Sequence, residues 1–200
     1  MALQIDPAAQ SPPRRRMGRP PSAEADRAIL ETARRQLVER GYAGMSIAGI
    51  AEGARVGRPT VYRRYRDKAD VVAAAIEFMP APTAPPDTGA ARADLLSLLE
   101  GAARSIDLSL VGSLLVEERR HPELMDRFRE RTLRPYTRLL AEALDLGRRR
   151  GDVRADLDPA LAAEVVLGAF LHHHLLHGRP TADWAEQVLG LLWPCFAAPA

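Results

Sequence analysis

The sequence contains few of the residues that stabilise secreted proteins. Its 200 residues include one cysteine, four phenylalanines, four tyrosines and two tryptophans. A single cysteine, Cys195, cannot form an internal disulfide and favours a reducing compartment. The N-terminus has no apolar segment of signal-peptide length, and no uninterrupted apolar run approaches the roughly 18 residues that span a bilayer. We therefore expect a cytoplasmic protein with no membrane segment.

Motifs of catalysis are also missing. The chain has no phosphate-binding loop, dinucleotide fingerprint, nucleophile elbow or metalloprotease motif. Cys195 follows a tryptophan by two residues in an apolar C-terminal segment, which does not favour a nucleophile. An enzyme is therefore the least favoured class, and the sequence calls for no cofactor.

The chain is instead rich in arginine and in apolar residues at helical spacing. Apolar side chains recur three and four positions apart nearly throughout, which predicts an all-α fold. Residues 1–80 hold 14 Lys+Arg against 9 Asp+Glu, a net charge of +5, whereas residues 81–200 hold 14 against 17, a net charge of −3. The first part is therefore the one that can meet a polyanion.

Residues 46–68 have the pattern of a helix-turn-helix. Ser46 is placed to cap a first helix that extends to Gly53, and residues 53–56 fit the tight turn. Pro59 lies in the first turn of the second helix, where proline loses no helical hydrogen bond. The residues expected inside are Val56, Val61 and Tyr65. The residues expected outside offer donors for phosphates and for base edges in the major groove, and they are Arg58, Pro59, Thr60, Tyr62, Arg63 and Arg64.

Extended to residues 27–72, this pattern resembles the DNA-binding domain of the TetR family of transcriptional repressors. The matching features are the IL-x-x-A-x-x-x-L helix before Gly41-Tyr42, the S-I-x-x-I-A helix, the T-V-Y-R-R-Y segment and the Asp67-Lys68 step. The resemblance implies that Lys68 contacts phosphate, with a solvated lysine as the alternative, and Ser46 is expected to assist. Arg55 stands where the family usually has a turn glycine, so we expect it at positive φ. Gly57 replaces the usual serine.

The N-terminal residues 1–21 form a proline-containing basic arm, which we interpret as disordered in the free protein. Its arginines are Arg14, Arg15, Arg16 and Arg19. An extended arginine arm beside a helix-turn-helix can enter the adjacent minor groove, and Gly18-Arg19-Pro20 resembles the core of an AT-hook. The alternative is a solvated basic tail that adds only non-specific attraction.

Three further parts are expected after the arm: a DNA-binding domain with its connecting helix over residues 22–79, a proline-rich linker over residues 80–89, and a helical domain over residues 90–200. Ser22 is expected to cap the first helix. The linker is either extended or a crossing loop. The last domain is expected to hold five helices, for about nine helices in all. They are expected over residues 94–106, 108–120, 122 to the turn at 147–151, 159–177 and 181–196. Pro135 should kink the third of them, and Asp158 should cap the fourth.

The helical domain resembles the ligand-binding and dimerisation domain of a TetR subgroup. The resemblance implies a homodimer formed through residues 159–177 and 181–196, and a mainly apolar ligand pocket. The candidate pocket residues are Leu99, Ala103, Ile106, Leu110, Leu114, Phe128, Tyr136 and Phe170, with Arg131 or Glu117 as polar anchors. Ordinary core residues have the same spacing, so a core role for each of them stays open.

Two other clusters have alternative interpretations. His173 and His177, at i and i+4, could chelate a metal, but no carboxylate or cysteine follows at ligand spacing, so interface or core roles for these and for His172 and His174 are favoured. Contacts that depend on pH are the third possibility. The run Arg148, Arg149 and Arg150 is typical of a solvated helix end, with a second DNA contact as the alternative.

These features together predict a homodimeric TetR-like repressor that binds a palindromic operator in double-stranded DNA and is released by a small, mainly apolar molecule. The competing hypothesis is a helical ligand- or partner-binding protein that keeps the fold without specific operator binding. Loss of the basic surface would favour it. Arg58, Arg63, Arg64 and Arg66 are all present.

Overall fold

The computed structural model describes residues 23–79, 87–106 and 108–199. Over these ranges the chain forms ten α-helices, of which α7 and α8 are joined by a π-helical turn into one rod. The helices are α1 (Ala23–Gly44), α2 (Ile47–Gly53), α3 (Arg58–Tyr62), α4 (Lys68–Glu77), α5 (Ala91–Ser105), α6 (Leu108–Glu117), α7 (Pro122–Phe128), α8 (Arg134–Arg150), α9 (Pro159–His177) and α10 (Trp184–Phe196). The prediction of an all-α fold with about nine helices is confirmed.

Helices α1 to α4 form a small head around a shared core. Ile29 and Leu37 of α1, Ile50 of α2, Val61 of α3 and Val71 of α4 are fully buried or nearly so. Gly41 has a φ of 66°, which bends α1 before its last turn, as expected from glycine near a helix end. The predicted cap Ser22 lies outside the described residues.

Three predicted helix ends differ from the structure. Helix α6 was expected to reach residue 120 but ends at Glu117, because Pro122 disfavours helical geometry at the residue before it and His121 has φ −137° and ψ 61°. Helix α10 was expected from residue 181, but residues 181–183 form a turn before Trp184. Helix α5 begins at Ala91, three residues earlier than expected.

Pro135 changes the hydrogen-bond pattern of the α7–α8 rod. Residues Arg129–Leu133 form a π-helical turn, and the N–H of Arg134 donates to the carbonyl of Arg129. Proline has no N–H and its ring collides with the carbonyl four residues earlier, so one wider turn just before Pro135 moves that carbonyl away. The expected kink at Pro135 is therefore realised as a π turn on its N-terminal side.

The body, α5 to α10, is held together by close contacts between α5, α8 and the loop after α8. A Cβ added to Gly147 would lie 2.5 Å from the Cβ of Ala91, so only glycine allows α8 to approach α5 this closely. The Asp152 carboxylate accepts from the N–H of Ala91 at 3.2 Å. Arg150 pairs with Asp94 at 3.3 Å and with Asp152 at 3.5 Å.

The arginine run at the end of α8 is therefore neutralised within the body. Arg148 and Arg149 both pair with Asp145, and Arg150 also reaches Asp87 at 2.6 Å. Because the three arginines are paired with aspartates, they have little uncompensated positive charge to attract DNA. The contacts therefore favour the interpretation of this run as a helix end over that of a second DNA contact.

The head meets the body along α6 and α7. The hydroxyl of Ser113 on α6 donates to the carbonyl of Leu37 on α1 at 3.3 Å. Arg127 on α7 pairs with Glu77 on α4 at 3.3 Å. A change in the body can therefore reach the head through α6 and through the α4–α7 contact.

Candidate nucleic-acid interface and ligand cavity

Helix α2 is fixed by a side-chain cap and by close packing on α1. The Ser46 hydroxyl accepts from the N–H of Gly49 at 3.1 Å, as a serine N-cap should. A Cβ at Gly53 would lie 2.7 Å from Thr32, so this end of α2 sits directly on α1. The Ser46 proton stays available as a donor, because its oxygen acts as the acceptor.

The turn between α2 and α3 contains a strained arginine. Arg55 has a φ of 55°, which confirms the expectation of a left-handed residue. A side chain in this conformation costs about 1–2 kcal/mol relative to glycine. The N–H of Val56 donates to the carbonyl of Ala51 at 2.9 Å and closes the turn.

Helix α3 is short, and it is anchored by one buried side chain. Val61 is fully buried, whereas Arg58, Pro59, Arg63 and Tyr62 are exposed, Tyr62 by 58%. Arg63 donates to the Thr60 hydroxyl at 3.1 Å. Gly57 begins α3 without a side-chain cap. The exposed face of α3 therefore presents two guanidinium groups and a phenol.

Arg64 lies inward, and the prediction that it faces outward is wrong. Its side chain is 15% exposed and forms an ion pair with Asp26 of α1. It also donates to the Thr60 carbonyl at 3.0 Å. This pair ties the end of α3 to α1. Asp26 was not among the predicted site residues. It lies 38 residues from Arg64, and its only signal in the sequence was an acidic residue in the first turn of a helix.

Lys68 is occupied by contacts inside the head. Its ammonium donates to the carbonyl of Tyr42 at 2.6 Å and of Met45 at 3.4 Å, and it lies 4.1 Å from the centre of the Tyr42 ring. Burial, followed by the charge of Asp67, raises the pKa of the Tyr42 phenol. Lys68 therefore joins α4 to the end of α1, and it keeps one N–H for a phosphate.

Other predicted DNA contacts fall outside the described residues. Arg14, Arg15, Arg16 and Arg19 of the N-terminal arm lie outside the described residues, and so do residues 80–86 of the proline-rich linker. Arg66, which directly follows the T-V-Y-R-R-Y segment, pairs with Asp70 at 3.5 Å. It is therefore less available than Arg58 for contact with a polyanion.

Helix α9 exposes a broad apolar face. Leu161, Val165, Leu175 and Leu176 are exposed, Leu175 by 73%, and Leu191 on α10 is exposed by 77%. Among the described helices, α9 alone has the length and hydropathy to cross a membrane, and 22% of its most apolar stretch is buried. An exposed apolar face of this size marks an interaction surface.

The histidines of α9 pack with aromatic rings. The ring centres of His173 and His177 lie 5.0 Å apart, and His173 lies 5.5 Å from Trp184. Over the described ranges no group of three or more metal-ligating side chains comes together. The packing favours the core and interface interpretation for these two residues.

A cavity of about 230 Å³ lies between α6, α8 and α9. Two predicted pocket residues, Ile106 and Phe170, line it. Eight lining residues were not predicted, and most of them are apolar. They are Leu108, Val111, Leu133, Thr137, Glu164, Leu167, Gly168 and Leu171. Their spacing is that of any core helix, so no sequence signal distinguished them.

The other predicted pocket residues lie away from this cavity. Leu99, Leu110, Leu114 and Phe128 are core side chains with almost no exposure, and Tyr136 is also buried. Ala103 lines a neighbouring cavity instead. These residues do not line the cavity because of the rotation of each helix about its own axis. Most of the apolar residues of a helix face neighbouring helices, and only a few face the cavity.

The predicted polar anchors also have other surroundings. Arg131 donates to the carbonyl of Met79, at the end of α4, at 3.1 Å, while its Nε is buried without a partner. Glu117 is buried at the end of α6. Arg131 therefore links the π turn of the body to the head.

A basic helix-turn-helix on a small head, joined to a larger helical body, is the architecture of a helix-turn-helix transcriptional regulator. Residues 29–75 match the family model described as bacterial regulatory proteins, tetR family. Residues 85–192 match the model described as tetracyclin repressor-like, C-terminal domain. The boundaries expected at residues 22–79, 80–89 and 90–200 stay predictions.

Known proteins show the same relationship. An uncharacterized HTH-type transcriptional regulator of Mycobacterium tuberculosis is 30% identical over 164 residues, 80% of this chain and 81% of that protein. The DNA-binding transcriptional repressor TetR of Mycobacteroides abscessus is 29% identical over 78% of this chain and 84% of its own length. The crystal structure of reduced Escherichia coli NemR superposes with a TM-score of 0.69 and 20% identity, over 88% of this chain and 100% of that one.

The chain therefore belongs to the TetR family of helix-turn-helix transcriptional regulators. Proteins of this family are DNA-binding regulators and not enzymes. They dimerise and bind small-molecule ligands.

Proposed function

We propose that this protein is a ligand-responsive repressor that binds a palindromic operator as a homodimer and is released by a small, mainly apolar molecule. The observation that carries the proposal is the fixed orientation of α3. Val61 and the Arg64–Asp26 pair hold the helix from inside, so its exposed residues are preorganised for a groove.

The DNA contacts divide by chemistry. Arg58 and Tyr62 are proposed to reach base edges from the exposed face of α3, and Arg63 to bind phosphate. Pro59 and Thr60 would contribute contacts along the same edge. Ser46 would donate its free hydroxyl proton to a phosphate, and Lys68 its one remaining N–H. Arg64 is not included, because its guanidinium is held by Asp26.

The N-terminal arm is proposed to add minor-groove contacts through Arg14, Arg15, Arg16 and Arg19. This proposal rests on sequence alone, because those residues lie outside the described ranges. Its expected signature is a preference for A·T-rich sequence beside the α3 half-site, since a narrow minor groove attracts arginine.

The dimer is proposed to form through residues 159–177 and 181–196. The exposed apolar residues Leu161, Val165, Leu175 and Leu176 of α9, with Leu191 of α10, would meet their copies across a two-fold axis. Burying a leucine contributes about 1.5–3 kcal/mol. Family members dimerise, and a two-fold dimer places two copies of α3 on a two-fold operator.

The ligand is proposed to occupy the 230 Å³ cavity between α6, α8 and α9. Its lining is almost entirely apolar. The link from body to head would run through the π turn, where Arg131 holds the carbonyl of Met79 at the end of α4. A ligand that favours one position of α4 would change the separation of the two α3 helices by population shift. The protein is proposed to act in the cytoplasm.

The test is selection of genomic DNA fragments by the purified full-length protein at two salt concentrations. One palindromic site that survives the higher salt supports a specific regulator, and binding at the promoter with loss of transcription in a reconstituted assay supports repression. Binding that is indifferent to sequence and lost at higher salt would contradict the operator proposal. No binding at all would favour a ligand- or partner-binding protein.

A further inference from the structure

The exposed positions of α9 are arranged symmetrically about Gly168. Between residues 160 and 176 the exposed positions are 160, 161, 164, 165, 168, 171, 172, 175 and 176. Each of them lies as many residues before Gly168 as another lies after it. The positions between them are buried or half-buried. Because exposed positions three and four residues apart share one side of a helix, the whole set forms a single face, which we call the α9 face.

The side chains of the α9 face follow the same symmetry. Its large apolar residues are Leu161, Val165, Leu171, Leu175 and Leu176. It carries two titratable side chains, Glu164 and His172, which lie four residues before and four residues after Gly168. In the described part of the chain neither of these two side chains has a hydrogen bond or an ion pair. The two halves of the face therefore present apolar groups at matching positions, with an acceptor in one half and a donor in the other.

Gly168 lies at the centre of the face, although no contact within the chain requires a glycine there. A Cβ added at this position would meet nothing within 4 Å. Glycine inside a helix costs about 1 kcal/mol relative to alanine, and a common reason to keep one is the close approach of another backbone. The position therefore suits the crossing point of a second helix.

A two-fold axis converts this internal symmetry into complementarity between copies. In a two-fold interface, residue i of one copy contacts residue j of the other, and j contacts i. An axis perpendicular to α9 at the level of Gly168 sets the two α9 helices antiparallel, so each position before Gly168 meets the position equally far after it. The pairs that result are Leu161 with Leu175, Val165 with Leu171, and Glu164 with His172.

We propose that two copies of the chain pair antiparallel along α9 with the two-fold axis at Gly168, and that Glu164 of each copy accepts a hydrogen bond from the His172 imidazole of the other. Apolar contacts are non-directional, so these two polar pairs set the register of the helices. Glu164, Gly168 and Leu171 also line the 230 Å³ cavity, so the second copy lies along its exposed edge. This inference rests on the proposed dimer, because it names the contacts of the same surface.

Disulfide cross-linking tests the position of the axis. Gly168→Cys is made in a Cys195→Ser background, because Cys195 is exposed. The two copies of position 168 meet at the axis, within the Cα separation of about 7 Å that a disulfide spans. Leu161→Cys in the same background is the matched control, since its two copies lie about 21 Å apart along the helices. We expect mild oxidation to link Gly168→Cys into a covalent dimer faster than Leu161→Cys.

A charge exchange tests the polar pairs. His172→Glu sets carboxylates against carboxylates and should weaken the dimer about tenfold, as sedimentation equilibrium measures. Adding Glu164→Arg to the same chain restores opposite charges and should recover most of that loss. Residues 164 and 172 lie about 12 Å apart along one helix, so the recovery must come from contact between copies. Val116→Glu, at an exposed position of α6, is the control and should leave the dimer unchanged.

The outcomes separate this inference from the proposed dimer. If the unmodified protein sediments as a monomer, the dimer proposal itself fails. If it is a dimer but Gly168→Cys links no faster than Leu161→Cys, the axis lies elsewhere and the inference is overturned. A Glu164→Arg, His172→Glu double variant that dissociates as readily as His172→Glu alone overturns it as well. Thermal unfolding checks that each variant is folded.

Discussion

Helices α3 and α9 both expose much of their surface to solvent, but α3 exposes polar and charged side chains whereas α9 exposes apolar ones. Helix α3 has five residues and presents Arg58 and Tyr62, with Arg63 directly after the helix, around one buried anchor, Val61. Helix α9 has 19 residues and presents leucines such as Leu175 and Leu176. Cationic donors on a short helix are suited to a polyanion, and an apolar face on a long helix is suited to another apolar surface.

The difference shows how one chain can divide recognition between two regions. The exposed chemistry of α3 can work on a single head, since each head would read one half-site of the proposed operator. In the proposed dimer, the exposed apolar face of α9 is covered only when a second copy of the chain is present. If this division is correct, changes in α3 alter DNA affinity without altering the dimer, and changes in α9 alter both.

The largest effect is expected from a charge placed on the α9 surface. Leu175→Asp with Leu176→Asp should convert the dimer to a monomer, because carboxylates would be buried without partners at the interface. Operator affinity should fall more than a hundredfold, since one head then binds alone. Analytical ultracentrifugation and gel shift measure the two effects. Val116→Asp, at an exposed apolar position of α6, is the control, and a dimer that survives the α9 change would contradict the proposed interface.

The next effect concerns Arg58 of α3 and the two arginines that directly follow the helix, Arg63 and Arg64. Arg58→Ala should cost about 1–3 kcal/mol at one base position, and Arg63→Ala should weaken binding to all sequences and lower the salt slope by about one. Arg64→Ala should leave the salt slope unchanged, because its guanidinium is held by Asp26. The measurement is operator affinity over a range of salt. A reduced slope for Arg64→Ala would show that this side chain reaches phosphate after all.

A smaller effect is expected from the pair that orients α3. Asp26→Ala leaves the half-buried Arg64 guanidinium without its carboxylate, and we expect a loss of about 1 kcal/mol, below the usual value for a charged hydrogen bond because Asp26 is partly exposed. Thermal unfolding of the single variants and of the Asp26→Ala, Arg64→Ala double variant forms a cycle. Additive losses would mean that the two side chains do not interact.

The strained turn predicts a gain in stability. Arg55→Gly removes the cost of a left-handed side chain and should raise the free energy of unfolding by about 1 kcal/mol, or roughly 2–4 °C in melting temperature. Arg55→Ala removes the charge and keeps the strain, so it serves as the control. Equal melting temperatures for the two variants would contradict the assignment of the strain to φ.

The smallest effect is a pH dependence within the head. The backbone N–H and then the guanidinium of Arg66 donate to Asp70 and lower its pKa. A lowered folded pKa means that the stabilisation is present above the unfolded pKa of about 3.9 and is lost as the pH falls through the folded value. Asp70→Asn should therefore reduce the loss of melting temperature between pH 6 and pH 3, by about 1 °C or less. If Asp70→Asn loses as much melting temperature between pH 6 and pH 3 as the unmodified protein, Asp70 does not contribute to the pH dependence of stability.

The helix-turn-helix could be predicted from sequence because its determinants are local. Ser46 caps the helix that follows it by three residues, and Pro59 lies in the first turn of α3. Arg55 was expected at positive φ because it stands where the resembled family usually has a turn glycine, and its φ is 55°. In each case the interacting groups lie within a few residues of one another, so spacing alone fixes their contact. The length of α9, from the Asp158 cap to Gly178, was predictable for the same reason.

The orientation of Arg64 and the lining of the cavity were decided only by the tertiary structure. Arg64 turns inward because Asp26 is brought beside it by the packing of α3 on α1. Ile106 lines the cavity while Leu110 does not, although both are apolar residues close together in sequence. Helical spacing shows which side of a helix is apolar, but the rotation of a helix against its neighbours decides whether an apolar residue meets a core side chain or a cavity.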